Sequence, residues 1–193
     1  MEKNSEKAFE YFQKSAEQNY IDAFMKIGYF YLLGWAVQRS PELAIKNFKL
    51  ALEGGLHSAF YGLGQAHNML GDSGKALEFF VEGKRLGDMD CIYELAKMYE
   101  MNSQWEKALQ TYILASLNDE EGYAALKAAF LILNHSSLGD TCTARTLLVK
   151  SRDNGQKLAK RTLAELFGED EEMGIASEEE EDNGVDVEDD EEE

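Results

Sequence analysis

The sequence predicts an all-α protein, a solenoid of about four helix pairs with an orphan helix at each end. Three observations predict it. A helical skeleton of alanine followed four residues later by an aromatic or leucine recurs at Ala8, Ala44, Ala76, Ala108 and Ala144, at intervals of 36, 32, 32 and 36 residues. The larger partners are Phe12, Phe48, Phe80, Tyr112 and Leu148, and a small residue follows at Ser15, Gly83 and Ala115. A second helical pattern lies between the copies. Strand signals are scarce, with no sustained alternation of β-branched residues and Pro41 as the single proline among 193 residues.

The elements follow in order. "KAFEYFQKSAEQN" opens the chain as an orphan outer helix (about 5–18). "DAFMKIGYFYLLG" sets Ala23, Ile27, Gly28 and Tyr31 on an inner helix, paired with the outer helix "ELAIKNFKLALEGG". "SAFYGLGQAHNML" (Ala59, Leu63, Gly64, His67) pairs with "KALEFFVEGKRLG", and "DCIYELAKMYEM" (Cys91, Leu95, Ala96, Tyr99) with "KALQTYILASLND". A fourth inner helix, "EGYAALKAAFLIL", is degenerate because Lys127 falls where leucine belongs. It precedes the outer copy at Ala144 and Leu148, and "LAKRTLAELFG" closes the array as a final inner helix (about 156–167). The count is about nine helices.

Residues four and eight apart stack on one helix face. A glycine or alanine beside the leucine lets a neighbouring helix approach, and the aromatic fills the gap that the small residue leaves. Ser5, Ser40–Pro41, Ser73 and Ser103 are read as helix starts, where a side-chain oxygen can cap free amides. Gly34, Gly54–Gly55, Gly71, Gly87 and Gly155 are read as ends, where a left-handed residue costs little. A single pair cannot bury both its faces, whereas stacked pairs share one core and line up their inner helices in a curved wall.

These residues resemble the Sel-1-like repeat family, a relative of the tetratricopeptide repeat. "AFMKIGYFYLLGWAVQRSPELAIKNFKLALEGG" follows the family's pattern through Ala23, Ile27, Gly28, Tyr31, Gly34, Val37, Ala44, Phe48, Ala51 and Gly54. It departs at Ala36, where a second loop glycine is usual, and at Ser40, where aspartate is usual. The later units have shorter loops and look more like tetratricopeptide repeats. The resemblance implies a right-handed α-solenoid over residues 1–167 and a non-enzymatic scaffold or adaptor that binds a peptide or partner domain in its concave groove. Carried over by position, the groove is lined by Met25, Tyr29 and Leu33, by Tyr61, Gln65 and Asn68, and by Tyr93, Lys97 and Met101, flanked by Asp22, Met69 and Glu100. Tyrosine and methionine there would anchor apolar side chains of a partner. The competing reading packs Met25, Met69 and Met101 between helices. Trp35 and Trp105 are read as core filler in inter-helix loops, and His67 as a packed core histidine. Asp88 and Asp90 are read as helix-start acids.

The net charge of −18 is unevenly spread. Residues 168–193 hold 16 acids and no base, leaving 21 acids against 19 bases in the first 167. That near-neutral body excludes direct nucleic-acid binding, which needs a dense basic face. The tail's composition predicts disorder. It offers three uses: solubility, capture of basic proteins such as histones (an acidic chaperone), and docking on the basic stretch around Arg145, Lys150, Arg152, Lys157, Lys160 and Arg161. Ser177, ahead of Glu180, has the spacing an acidophilic kinase accepts.

Cys91 and Cys142 form no C-x-x-C pair, and the three histidines show no ligand spacing, so no metal or cofactor is expected. No nucleophile–base set and no phosphate loop emerges, so no catalytic residue is assigned and an enzyme is not expected. With no apolar run of 18 residues and charges directly after Met1, neither a membrane span nor a secretory signal is read, and the cytoplasm is the expected location, with the nucleus as alternative. The sequon Asn134-His135-Ser136 keeps open an adaptor role in endoplasmic-reticulum quality control, the weakest reading.

Overall fold

A computed structural model describes residues 2–168, with side chains from Asn4 onward. The acidic tail, with Ser177, lies outside the described residues. The described chain is all-helical: α1 (Glu2–Glu17), α2 (Ile21–Leu33), α3 (Pro41–Glu53), α4 (Ala59–Met69), α5 (Ser73–Arg85), α6 (Met89–Met101), α7 (Trp105–Ala115), α8 (Tyr123–Asn134), α9 (Thr141–Asp153) and α10 (Lys157–Phe167). One 3₁₀ turn, Ser136–Leu138, follows α8. The expected layout of an opening helix, four pairs and a closing helix is the observed one, and it amounts to ten helices, not about nine. Packing is densest within the pairs α2–α3, α4–α5, α6–α7 and α8–α9, each pair leans on the next, and α2 touches α4 as α4 touches α6. The even-numbered helices therefore stand side by side as one inner layer.

The repeated skeleton makes the core. Ala44, Ala76, Ala108 and Ala144 have no exposed surface, nor have Phe48, Phe80, Tyr112 and Leu148 four residues later. Phe48 and Phe80 each enter a cradle built by inner-helix glycines. A Cβ added at Gly28 of α2 would sit 2.5 Å from the Phe48 ring, and one added at Gly62 of α4 would sit 2.6 Å from the same ring. Phe48 is thus clamped between two inner helices. Gly64 of α4 gives the same close approach to Phe80. Burying each such ring contributes about 2–3 kcal/mol from hydrophobic transfer. The third position of the skeleton is equally tight: Gly83 has no room beside the Cys91 thiol, and Ser151 is fully buried, its Oγ donating to the Gly122 carbonyl at 2.8 Å.

The fourth inner helix is not degenerate. Its pattern begins at Ala124, with Ala128, Ala129 and Ile132 all buried, one position later than the spacing from Cys91 suggests. Lys127 is thereby an exposed residue, its Nζ 3.6 Å from Glu100 Oε1 on α6, and occupies no leucine site.

Helix starts are corrected in part. Ser40 caps α3 by accepting from the Leu43 amide at 3.3 Å, as expected. Ser5 lies inside α1, Ser73 is the first residue of α5 behind the capping Asp72, and Ser103 is left-handed (φ 56°), two residues before α7. An aspartate is an equally good acceptor, so the carboxylate one residue earlier wins at α5. Asp88 caps α6, accepting from the Cys91 amide at 2.9 Å, and Asp90 lies in that helix's first turn. Gly34, Gly55, Gly71, Gly87 and Gly155 all have positive φ at or just after helix ends, whereas Gly54 does not. Ala36, standing where the repeat usually has glycine, keeps glycine's left-handed backbone at φ 57°.

The two tryptophans diverge. Trp105 begins α7, is partly buried and stacks on His135 at 4.3 Å between ring centroids, as a core filler should. Trp35 is 55% exposed, its ring set edge-on to Phe30 at 6.0 Å, so core filler is the wrong reading for it. It follows the left-handed Gly34 that ends α2, beyond the helix face that packs into the core.

His67 is a packed histidine, 8% exposed and stacked on Phe79 at 5.3 Å. Its Nδ1 lies 3.7 Å from Asp72 Oδ2 and has no hydrogen-bond partner among the described residues. Burial lowers its pKa below the ordinary 6.5; the carboxylates of Asp72 and Glu78 work against that shift, and Lys75 and Lys49 with it.

Gly28→Ala should lower the unfolding free energy by about 1–3 kcal/mol, because the new methyl meets a ring that Gly62 prevents from retreating. Gly74→Ala, in the open first turn of α5, should raise it by up to about 1 kcal/mol. Denaturant unfolding followed by circular dichroism measures both, and a neutral Gly28→Ala would contradict the clamp. A His67 that resists protonation when folded, but not when unfolded, makes the unfolded chain bind more protons below about pH 6.5. Stability should therefore decline as pH falls from about 7.5 to 5.5. In His67→Phe that decline should be shallower, and equal slopes would refute the assignment.

Candidate interaction face

Partly exposed side chains stand on the inner layer at Tyr29 of α2, Tyr61 and Gln65 of α4, Tyr93 and Lys97 of α6, and Phe130 of α8. The tyrosines are held from behind. Tyr29 packs edge-on against Phe48 at 5.1 Å, Tyr61 against Phe80 at 6.4 Å, and Tyr93 edge-on against Tyr112 at 5.7 Å. The same outer-helix aromatics that lock the core therefore back the exposed rings of the inner face.

Within the face, Gln65 Nε2 donates to the Tyr61 hydroxyl at 2.5 Å. Lys97 Nζ donates to both Glu94 carboxylate oxygens at 2.9 Å and lies 5.8 Å from the Tyr93 ring centroid. Glu100 accepts from the buried Tyr112 hydroxyl at 2.6 Å while facing Lys127, which ties α6, α7 and α8 together. Burial pushes the Tyr29 hydroxyl up to about 12, helped by the carboxylates of Asp90 and Asp88. Tyr61 is raised by burial and then by Glu94 and Asp90, and Tyr93 by burial, Glu94, Asp119 and Glu100. Carboxylates are thus the charges that these phenols sense most.

Two recesses open on this face. One, of about 290 Å³, spans α6, α8 and α10 and includes Tyr93, Glu100, Leu126, Lys127, Phe130 and Leu158. The other, of about 400 Å³, lies between the start of α6 and the α7–α8 loop and includes Met89, Asp90, Tyr93, Glu120, Glu121 and Tyr123. Its rim is braced. Asp119 accepts from the amides of Gly122 (3.0 Å) and Ala124 (2.5 Å), Asn154 Nδ2 donates to the Asp119 carbonyl at 2.6 Å, and Gln156 Nε2 to the Glu121 carbonyl at 2.6 Å.

Of the residues expected on the face, Tyr29, Tyr61, Gln65, Tyr93 and Lys97 are partly exposed on the inner layer. Met25 is 8% exposed and belongs to the core between α2, α3 and α4, so it offers no side chain to a partner. Met69 and Met101 are 45% and 82% exposed, against the reading that packs them between helices. Leu33, Asn68, Met69 and Met101 sit at the far ends of their helices and line neither recess. Tyr123 and Phe130 extend the face onto α8, where Leu126 is buried at the floor of the smaller recess. The register of Ala124, Ala128 and Ala129 was the sequence signal for them.

Residues 1–20 and 22–56 match the Sel1 repeat family model. No curated protein matches the chain by sequence. Among solved structures, the Sel1 repeat protein from Oxalobacter formigenes aligns with a TM-score of 0.68 at 20% identity, over 85% of this chain and 70% of that one. The antigen c5321 of uropathogenic Escherichia coli, described as having an SLR fold, gives 0.71 at 22% identity, over 86% of this chain and 38% of that longer one. YrrB, a TPR protein with an unusual peptide-binding site, gives 0.56 at 18% identity, over 85% of each. The first 56 residues are thus similar to the Sel1 repeat, and the helical-solenoid fold shared with these structures runs on through α10.

Proposed function

We propose that this chain is a non-enzymatic interaction scaffold that binds a peptide or partner domain along its inner-helix face. The observation that carries the reading is the row of partly exposed tyrosines, Tyr29, Tyr61 and Tyr93, whose rings are backed by outer-helix aromatics, with Tyr93 lining both recesses. A ring already held in place loses little conformational freedom on binding, and such aromatic anchors dominate interface energetics. The fold it shares with YrrB, a protein with a peptide-binding site, supports the same reading. The free thiols of buried Cys91 and exposed Cys142 support a reducing compartment, cytoplasmic or nuclear.

A second reading has its own observation: residues 169–193 hold 16 acids and no base, which suits capture of histones or other basic proteins. It treats 1–167 and 168–193 as separately acting parts.

Replacing Tyr61 and Tyr93 together by alanine should weaken partner binding at least about tenfold. The rings are partly exposed, so helicity should persist. Affinity capture with quantitative mass spectrometry, on the parent, the double variant and a chain ending at Phe167, separates the two readings. Partners lost with the tyrosines belong to the inner face; partners lost only with the tail belong to the second reading. Unchanged partners in the double variant would refute the inner-face assignment.

A further inference from the structure

We propose that the ligand of the inner face is a segment bearing lysine or arginine beside aliphatic side chains, its cation entering the recess between α6 and the α7–α8 loop; this rests on the reading of the inner face as the binding surface. Charge decides the class. Asp90, Glu120 and Glu121 are exposed at that recess and Asp119 lies beneath its rim, while no basic side chain lines it. Met89, Tyr93 and Tyr123 supply the apolar and π-bearing wall. Three bases stand around it. Lys97 is paired with Glu94, Lys127 with Glu100, and Lys150, which lines the adjoining recess beside Asp119 and Glu120, donates to the Ser116 hydroxyl at 3.4 Å. The carboxylates of Asp90, Glu120 and Glu121 therefore still outnumber the bases at the recess itself.

Lys97 also shows how this face holds an ammonium group. Its Nζ is fixed by one carboxylate and lies within cation–π range of the Tyr93 ring. The free recess repeats those two ingredients, a carboxylate set beside tyrosine rings, without a cation of its own. Its rim is preorganised by the Asp119, Asn154 and Gln156 hydrogen bonds, so a ligand need not order the loop. An acidic occupant, the chain's own tail included, would meet like charge and be disfavoured.

The test is selection from a displayed library of random dodecapeptides on the full chain, followed by affinity measurements with the peptides recovered. Lysine and arginine should be enriched next to leucine, isoleucine, valine or methionine. Their binding should weaken about tenfold in Asp90→Asn/Glu120→Gln/Glu121→Gln, three surface charges each contributing modestly, and should also be lost in the Tyr61/Tyr93 double alanine variant. Glu120→Gln/Glu121→Gln, which leaves every helix untouched, should show a smaller loss in the same direction. Peptides without basic enrichment that still require the tyrosines would overturn the proposal and leave the binding face standing. Basic peptides that bind the triple variant unchanged would place the attraction in the tail and overturn it too. Peptides indifferent to the tyrosines, or no selected peptide at all, would overturn both the proposal and the reading beneath it.

Discussion

The structure depends on one kind of contact: a bulky outer-helix side chain buried between inner helices, seated on glycine at Phe48 and Phe80 and among alanines and leucines at Tyr112 and Leu148. Phe48 between Gly28 and Gly62 is the plainest instance. The glycines lower helix propensity, and the ring that they admit returns buried area and close packing. Because a protein interior is close-packed and barely compressible, the thickness of that ring sets how near adjacent inner helices stand. The pitch of the solenoid, and with it the spacing of the inner face, is therefore a property of the core.

That arrangement joins stability to recognition. The buried ring has two sides of use, one gripping the inner helices and the other bracing the tyrosine exposed beyond them. Tyr112 goes further, since its hydroxyl donates to Glu100 at the inner surface while its ring stays fully buried. A phenol there reaches a carboxylate that a phenylalanine could not. Its place in the outer helix of the third pair, where the two preceding pairs have Phe48 and Phe80, matches the charged character of the neighbouring face.

Much of the fold was legible because the packing rule is written in residue size. Alanine and glycine at these places are demanded by distances too short for anything larger, so the same residues recur at nearly constant intervals. The helix starts were less legible: Ser73 and Asp72 are adjacent acceptors, and only the path of the backbone selects one. Trp35 looked like core because indoles usually are, but it lies beyond the end of α2, where no helix face holds it inward. Lys127 looked like a defect for a related reason. A shift of one residue in the α7–α8 loop moves the whole of α8 by about 100° around its axis, so a lysine counted as inward-facing is exposed.

From the sequence alone came the all-helical class, the alternation of inner and outer helices and the buried alanine and aromatic of the recurring skeleton, since periodicity and side-chain volume are properties of the linear chain. The buried Phe9 and Phe30 and the alanines of α8 were not read. Only the tertiary structure decided which partly exposed residues share a surface. Met25 was drawn inward, Phe130 of α8 was brought beside Tyr93, and Glu120 and Glu121 were set across a recess from Asp90. The physical reason is that burial follows local patterning on a single helix face, whereas the meeting of side chains from separate repeats depends on the curvature that all the packed pairs produce together.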